Sequence, residues 1–452
     1  MLTNFRDTLS FYEKRGQLTR VKKEVDREFE VAALLAHFED KSAILCEKVK
    51  GYDIPVAGNI FYSREQIAAG LGVSIDNLQS KLVSAITNGI SPHFVEEAPC
   101  QEVVVNNPVI LEQLPIPRFF ERETGPYISA GLIIAKNPVT GKRNISIARC
   151  KVLDGNRIML GIAPNHHLSR LLRESLELGK PLEAAISIGN CPAMMMASNF
   201  YVDYGHDEYD IAGALLGEPI DIVKCKNLEL EVPAQCEIVI EGRIKDEYIE
   251  EGPVSEFPGM YVNYGKGVIM EVSCITRRKD AIFQAILPGY YTEHLLIGGE
   301  AIAATLFYNI KKVVPHVCAV SVPLSGAGRL QAVASFHNPR PGDGHRAMFA
   351  AFSHCSLVKH FVAVDDDIDV NDAKQVLWAI ATRMRGSEDI VIIPGVRADR
   401  AEPLENNGTV TKVGVMAIKQ KHGSRQDFTM CRVPKEVMNK IENNLDNYIK
   451  GY

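Results

Sequence analysis

Glu251 and Glu256 stand five residues apart in Glu251-Gly252-Pro253-Val254-Ser255-Glu256, and the Gly-Pro pair between them is foreign to a helix interior or a regular strand. The segment therefore reads as a shaped turn holding two carboxylates. Acids that close repel when both are ionised, so a nearby cation or a raised pKa on one of them has to resolve the conflict. Such a pair can hold, give or take a proton, and the same composition also suits a solvated loop. The run Asn144-Ile145-Ser146-Ile147-Ala148-Arg149 opens on an amide and closes on a cation, placing both side chains near one end of a strand. His166-His167 and Asp207-Glu208 put further polar groups at the starts of two helical patterns.

The elements that must carry these residues divide into three regions. Residues 1–112 alternate helical and short apolar segments, with helices expected over Glu28 to His37 and Ser63 to Gly70 and a strand over Ser42 to Cys46, a small α/β unit. Pro108, Pro115 and Pro117 mark the passage into residues 113–298. There, strand-like runs predominate: Gly131 to Ala135, Asn144 to Val152, Ile158 to Ile162, Cys236 to Glu241 and Val268 to Thr276. They suit an antiparallel sheet or barrel interrupted by two helices, from His166 to Gly179 and from Tyr209 to Gly217. Residues 299–452 return to α/β, with a helix expected from Gly299 to Lys311, extended runs at Val317 to Val322 and Lys359 to Val364, and helices over His345 to Ala351 and from an Asn371 or Asp372 cap to Arg385. After Pro434 a terminal helix carries Val437, Ile441, Leu445 and Tyr448 on one stripe, suited to core packing or to docking on a second protomer. The fold class is thus multidomain α/β.

Composition narrows the partners. Against 50 Lys and Arg stand 56 Asp and Glu, a formal net charge of −6 with no basic run to track a phosphate backbone, so nucleic acid is not expected. No apolar stretch approaches the ~20 residues that span a bilayer, and the amino terminus lacks a signal-peptide core, which points to a cytoplasmic protein without a membrane partner. Ten cysteines without a Cys-x-x-Cys pair read as reduced, mostly buried thiols. The GxGxxG and Walker A patterns are absent.

The run from Asn144 to Arg149 is similar to the Asn-x-Gly-x-x-Arg motif of the UbiD-like decarboxylase family, with Ser146 in the glycine position. Four more segments resemble that family in order: His166-His167, Asp207-Glu208-Tyr209 with its following helix, the Glu251 to Glu256 loop, and Val364 to Val370 before the Trp378 helix. The branch it resembles acts on furan, pyrrole, indole and benzoic acids. The resemblance implies a central split β-barrel that binds prenylated FMN, a cofactor that takes up the electrons released as CO2 leaves an unsaturated or aromatic acid. It implies a divalent metal, typically Mn2+, held by Asn144, His167 and Glu208, and a K+ near Ser198. Ile147, Arg149 and His166 join the cofactor-binding set, with His166 either touching the flavin edge or facing solvent.

Arg149 is expected between Glu251 and Glu256, where its fork would orient the substrate carboxylate while Glu256 gives the proton that replaces CO2. His294 is a candidate for the substrate pocket, or else a structural histidine at a domain joint. No arginine lies between His294 and Tyr308, which weakens a substrate with a second carboxylate clamped from that helix. Met416 and Ala401-Glu402-Pro403 depart from the family pattern, and the acidic Asp365 to Asp369 run reads as a cap and solvated edge rather than a metal site. The expected partners are a small carboxylic acid and CO2, a flavin prenyltransferase as cofactor supplier, and further copies of the chain in a homodimer or homohexamer. The competing classes are a catalytically silent flavin-binding subunit and a conventional flavin oxidoreductase.

Overall fold

The apolar alternation of the middle region builds one nine-stranded sheet in the computed structural model, which describes residues 2–202, 204–419, 428 and 431–449. Its order runs Tyr127–Ile128, Arg149–Val152, Arg157–Gly161, Lys266–Arg277, Ile238–Glu250, Leu182–Ile188, Leu132–Lys136, Arg143–Ser146, with Val103–Asn106 added beside Lys266–Arg277. Every pairing is antiparallel. Period-two alternation gives the sheet two apolar faces. Leu132, Ile134 and Val239 pack with the helices Pro192–Ala197 and Glu208–Leu216, whereas Ile133, Ala135 and Ile240 pack with the helix His167–Glu177 and the amino-terminal Val31 and Leu35.

One expectation fails in an instructive place. Asn144 to Val152 is not a single strand: Arg143–Ser146 pairs with Leu132–Lys136 at one end of the sheet, and Arg149–Val152 pairs with Arg157–Gly161 near the other. Only Ile147 and Ala148 join them, so the two ends of the sheet approach to within about 10 Å, the reach of three extended residues. The half-barrel therefore has a seam at residues 147–148, flanked by Asn144 and Arg149.

Leu18–Val21, Ala43–Cys46 and Val56–Gly58 form an amino-terminal sheet completed by Phe283–Gln284, and His93–Val95 pairs with Asp221–Lys224. Sheet membership thus crosses the expected break at 112/113. The helix expected from Gly299 runs from Thr292 to Val313, across the second expected break at 298/299. Gly298 and Gly299 lie inside it because other chain segments press on them: a Cβ at Gly298 would stand 2.4 Å from an Arg329 nitrogen, and one at Gly299 3.0 Å from Val322 O.

The last region is a mixed five-stranded sheet in the order Val317–Ser321, Gln331–Phe336, His360–Asp365, Thr409–Ala417, Ile390–Arg397, covered by Thr292–Val313, Asp343–His354 and Ala373–Arg383. Asp372 caps the last of these helices through the Lys374 and Gln375 N–H groups. The terminal stripe does not pack into a core: after Pro434 the chain forms Lys435–Glu442 and Leu445–Ile449, with Val437, Leu445 and Tyr448 exposed. Eight of the ten cysteines are buried free thiols, and only Cys318 and Cys431 are exposed. Among the described residues no helix is long and apolar enough to cross a membrane.

Candidate active site

The Glu251 to Glu256 segment leaves the end of Ile238–Glu250 and turns through Gly252 at φ +79°, where a Cβ would meet the Thr124 side chain at 2.9 Å. Glycine is required there. Val254–Ser255 then pairs with Tyr261–Val262, so Glu256 sits at the tip of a short hairpin closed by its N–H to Met260 O. Glu251 is fixed from behind, its carbonyl accepting from Thr124 Oγ1 at 2.8 Å and Lys151 Nζ at 2.9 Å.

Arg149 lies between the two acids. Its Nε and Nη2 hold the Glu251 carboxylate at 2.8 and 3.0 Å, a bidentate pair, while Nη1 stands 3.6 Å from Glu256 Oε2. The latter is an ion pair beyond hydrogen-bond reach. Glu256 is held instead by the Phe257 N–H on Oε1 at 3.0 Å and by the Tyr264 hydroxyl on Oε2 at 2.8 Å. Burial works against the Arg149 charge, but the hydrogen bonds and charge of Glu251 outweigh it and keep the guanidinium protonated. Gly161 leaves the room: a Cβ there would lie 2.7 Å from Arg149 Nη2.

Across the seam, Asn144 Nδ2 and the Ile145 N–H donate to the two Glu208 oxygens at 3.0 and 2.8 Å. Asn144 Oδ1 is buried with no hydrogen-bond partner among the described residues. Glu208 is buried at the first turn of its helix, and that burial pushes its carboxyl up to about 8. An orphaned amide oxygen beside a carboxylate that burial discourages from ionising is a donor set suited to a hard cation. His167 opens the helix His167–Glu177 with its ring edge-on to Tyr204 at 5.2 Å. No group of three or more His, Cys, Asp and Glu residues forms a metal site among the described residues; Asn144, His167 and Glu208 contain only two of those types.

His166 is the cap residue of the same helix, makes no side-chain capping bond, and is kept toward the neutral form by burial, with Arg400 and Arg149 adding to the effect. Ile147 lies at the seam, half-buried against the helix-covered face. Ser198 ends the helix Pro192–Ala197, donates to Met195 O at 3.0 Å and accepts from Asn199 Nδ2 at 3.5 Å, which leaves one lone pair of its hydroxyl. His294 sits in the first turn of Thr292–Val313, its Nδ1 within 3.1 Å of the Gly289 N–H, and burial followed by the Arg329 charge lowers its pKa to about 4.

Four residues escape the sequence reading. Tyr264 binds Glu256; Arg400, from the last region, lies over the Tyr264 ring at 4.4 Å. Glu123 accepts from Ser255 Oγ at 2.8 Å and steadies the hairpin. Arg329 donates to His294 O at 3.3 Å and stands over the Phe257 ring at 5.2 Å, while its Nη1 is shielded from solvent with no partner among the described residues. Glu123, Arg329 and Arg400 are lone polar residues far from the loop in sequence, and Tyr264, eight residues past Glu256, has no local pattern to flag it. The acidic run does not face solvent as a mere edge either: Asp365 and Asp367 clasp the buried Arg383.

Family models described as the N-terminal, Rift-related and C-terminal domains of 3-octaprenyl-4-hydroxybenzoate carboxy-lyase match residues 9–86, 93–291 and 296–417. An anhydromevalonate phosphate decarboxylase of Methanothermobacter thermautotrophicus is 34% identical over 411 residues, covering 90% of this chain and 96% of its own. The chain belongs to the UbiD family. The UbiD-class enzyme HmfF of Pelotomaculum thermopropionicum, solved in complex with FMN, superposes with a TM-score of 0.93 at 36% identity over 97% of this chain and 99% of that one. An evolved dimeric form of HmfF in complex with prFMN gives 0.91 at 35% identity, covering 99% and 100%. This UbiD-family chain is a carboxy-lyase of the class that works with prenylated FMN.

Proposed function

We propose that the protein exchanges CO2 for a proton on an unsaturated, aromatic or heteroaromatic carboxylic acid, with Glu256 as the proton donor. The observation that supports this reading is the unequal treatment of the two acids. Arg149 spends its bidentate face on Glu251, and Glu256 is left with one phenol and one main-chain N–H at the hairpin tip. The remaining Arg149 Nη1 would take the substrate carboxylate in place of its long contact to Glu256. A prenylated flavin, when bound, supplies the electron sink that lets CO2 depart. The chain's own work is to hold the acid, exclude water and return one proton to the carbon that lost CO2.

The donor set at the seam fits the phosphate end of such a cofactor. Asn144 Oδ1, the His167 imidazole and the Glu208 carboxylate would hold a divalent cation, Mn2+ in our reading, with Ser198 near a K+. Ile147, His166 and Arg149 would line the flavin. His294 and Arg329 would line the far end of the substrate pocket. A buried guanidinium with an unpaired nitrogen and no salt-bridge partner among the described residues favours a substrate with a second anionic group. A relative named for a phosphate-bearing acid agrees with that preference. A flavin prenyltransferase would supply the cofactor, and the exposed Val437, Leu445 and Tyr448 suit assembly into a homodimer or homohexamer.

Co-expression with a flavin prenyltransferase, followed by a screen of acids for CO2 release, tests the reading. Turnover should require the prenylated flavin and fall by about 10²–10⁴-fold in Glu256→Gln with flavin still bound. Turnover with plain FMN would favour an oxidoreductase, and silence with every acid tried would favour a flavin-binding subunit.

A further inference from the structure

The geometry points to Tyr264 as the positioning residue of Glu256, held in place by Arg400 of the last region; this rests on Glu256 being the proton donor. Tyr264 supplies the side-chain hydrogen bond that Glu256 makes among the described residues, 2.8 Å from hydroxyl to Oε2, where Arg149 reaches no nearer than 3.6 Å. A phenol both donates and accepts, so it stays bonded to the acid in its ionised and its protonated form. That property suits the partner of a group that gives a proton in every turnover and regains it. The phenol carries no proton onward; it fixes where the carboxyl points.

The ring beneath that hydroxyl is loaded by two cations. Arg149 Cζ lies 4.5 Å and Arg400 Cζ 4.4 Å from its centroid, and both contacts draw on the ring's negative face. The two guanidiniums reach it from distant parts of the chain. Arg149 starts a strand near one end of the nine-stranded sheet, whereas Arg400 follows Ile390–Arg397 of the C-terminal sheet. Two neighbours fasten the Arg400 segment to the barrel: Asp399 Oδ2 accepts from Asn165 Nδ2 at 2.9 Å, and Arg400 Nη2 stands 3.5 Å from Gly161 O. Gly161 is also the residue whose missing Cβ admits Arg149. One small patch therefore links the seating of the C-terminal sheet to the ring that orients the acid.

The test compares Tyr264→Phe, Arg400→Gln and the double variant with wild type, all as full-length holoenzyme reconstituted with prenylated flavin. The probe is whichever of 2-furoate, furan-2,5-dicarboxylate, pyrrole-2-carboxylate, indole-3-carboxylate or benzoate the wild type decarboxylates fastest. Tyr264→Phe should lower kcat by about ten- to a hundredfold with KM within about threefold, equal flavin absorbance and a larger solvent deuterium effect, because proton delivery becomes limiting. Arg400→Gln should move the same quantities in the same direction by less, Arg400→Lys should recover part of the loss, and the double variant should be no worse than Tyr264→Phe alone. In hydrogen exchange measured by mass spectrometry, the 254–262 hairpin should exchange faster in both single variants, a readout that needs no turnover. Wild-type kcat and isotope effect in Tyr264→Phe would overturn the proposal, as would multiplying effects in the double variant or an unchanged hairpin. If wild type releases no CO2 from any probe, the proton-donor reading has failed on its own. The hairpin exchange then still decides whether Arg400 and Tyr264 hold that loop.

Discussion

Arg149 and Arg383 each sit between two carboxylates, yet the two clusters end in opposite states. Arg383 is fully buried and gives Nη1 to Asp365 at 3.1 Å and to Asp367 at 2.9 Å, and Nη2 to Asp367 and Phe428 O, both at 2.8 Å. Lys419 adds its N–H to Asp365 at 2.7 Å and its ammonium to Asp367 at 3.1 Å. Burial opposes the Asp367 charge, but Arg383 and Lys419 outweigh it and hold the carboxyl below its usual range. Both acids there are consumed. In the Arg149 cluster only Glu251 is, its side chain 1% exposed, whereas Glu256 keeps a loose ion pair and 17% exposure. An arginine between two carboxylates thus makes a structural clasp when the acids are saturated and leaves a chemically free acid when one is under-held.

The sharpest way to break this comparison is to remove one member of each cluster. Glu256→Gln should cut turnover by about 10²–10⁴-fold while leaving the melting temperature and flavin content near wild type. Arg383→Met should do the reverse. It strands the buried Asp365 and the half-buried Asp367, so about 3–5 kcal/mol of stability should disappear while turnover per folded, flavin-loaded molecule persists. Thermal melts and single-substrate kinetics on both proteins decide it. A Glu256→Gln protein as destabilised as Arg383→Met would mean that both clusters are structural.

How far the sequence speaks to each cluster follows from where its partners lie. The Gly-Pro turn announces a shaped loop, and the ordered motifs tie Arg149 to Glu251 and Glu256, which the fold brings together. Helix ends are legible from caps, as with Ser63, Asp372 and the αL Gly217 at φ +86°. The strand break at Ile147-Ala148 leaves one faint trace, a one-residue slip in the apolar alternation from 145 and 147 to 150 and 152, which a run that stays strand-like hides. Gly298-Gly299 misleads for the opposite reason: glycines that resemble a stop are there to let Arg329 and Val322 approach a helix. Arg383 ends a helix whose sequence does not say that two aspartates wait beside it. Long-range partners of single polar residues leave no periodic trace.

Arg329 extends the series, since it is a buried guanidinium with no carboxylate in salt-bridge range among the described residues. Burial pulls its pKa down, the mark of a charge without compensation. Arg329→Met should therefore leave stability unchanged or slightly higher, while KM for an acid with a second anionic group rises about tenfold or more, against little change for a monoacid. Steady-state kinetics on a matched pair of acids check it. Equal losses on both acids would place Arg329 with the structural clasp instead.

The smallest effect is in acid, and it separates the two regions by pH window. His294 faces Arg329, Glu256 and the Gly289 backbone, and burial with the Arg329 charge holds its pKa near 4. Above pH ~6.5 the ring is neutral in both folded and unfolded chains and contributes no slope. As pH falls from ~6.5 toward 4 the unfolded chain binds a proton that the folded chain refuses, so stability declines through that window. Asp367 behaves differently: its folded pKa is depressed, so its contribution is intact above the usual carboxylate range and is lost only when pH falls below it. Urea denaturation of wild type and His294→Asn from pH 7 to 4 should give curves that converge toward acid, by at most about 1.4 kcal/mol per pH unit for one proton. His166 and His360, also lowered by burial, keep a residual slope in the variant. Parallel curves would show that the active-site pocket tolerates a charged His294. The far end of the pocket would then be wetter than its burial implies, and Arg329 would not need an anion to balance it.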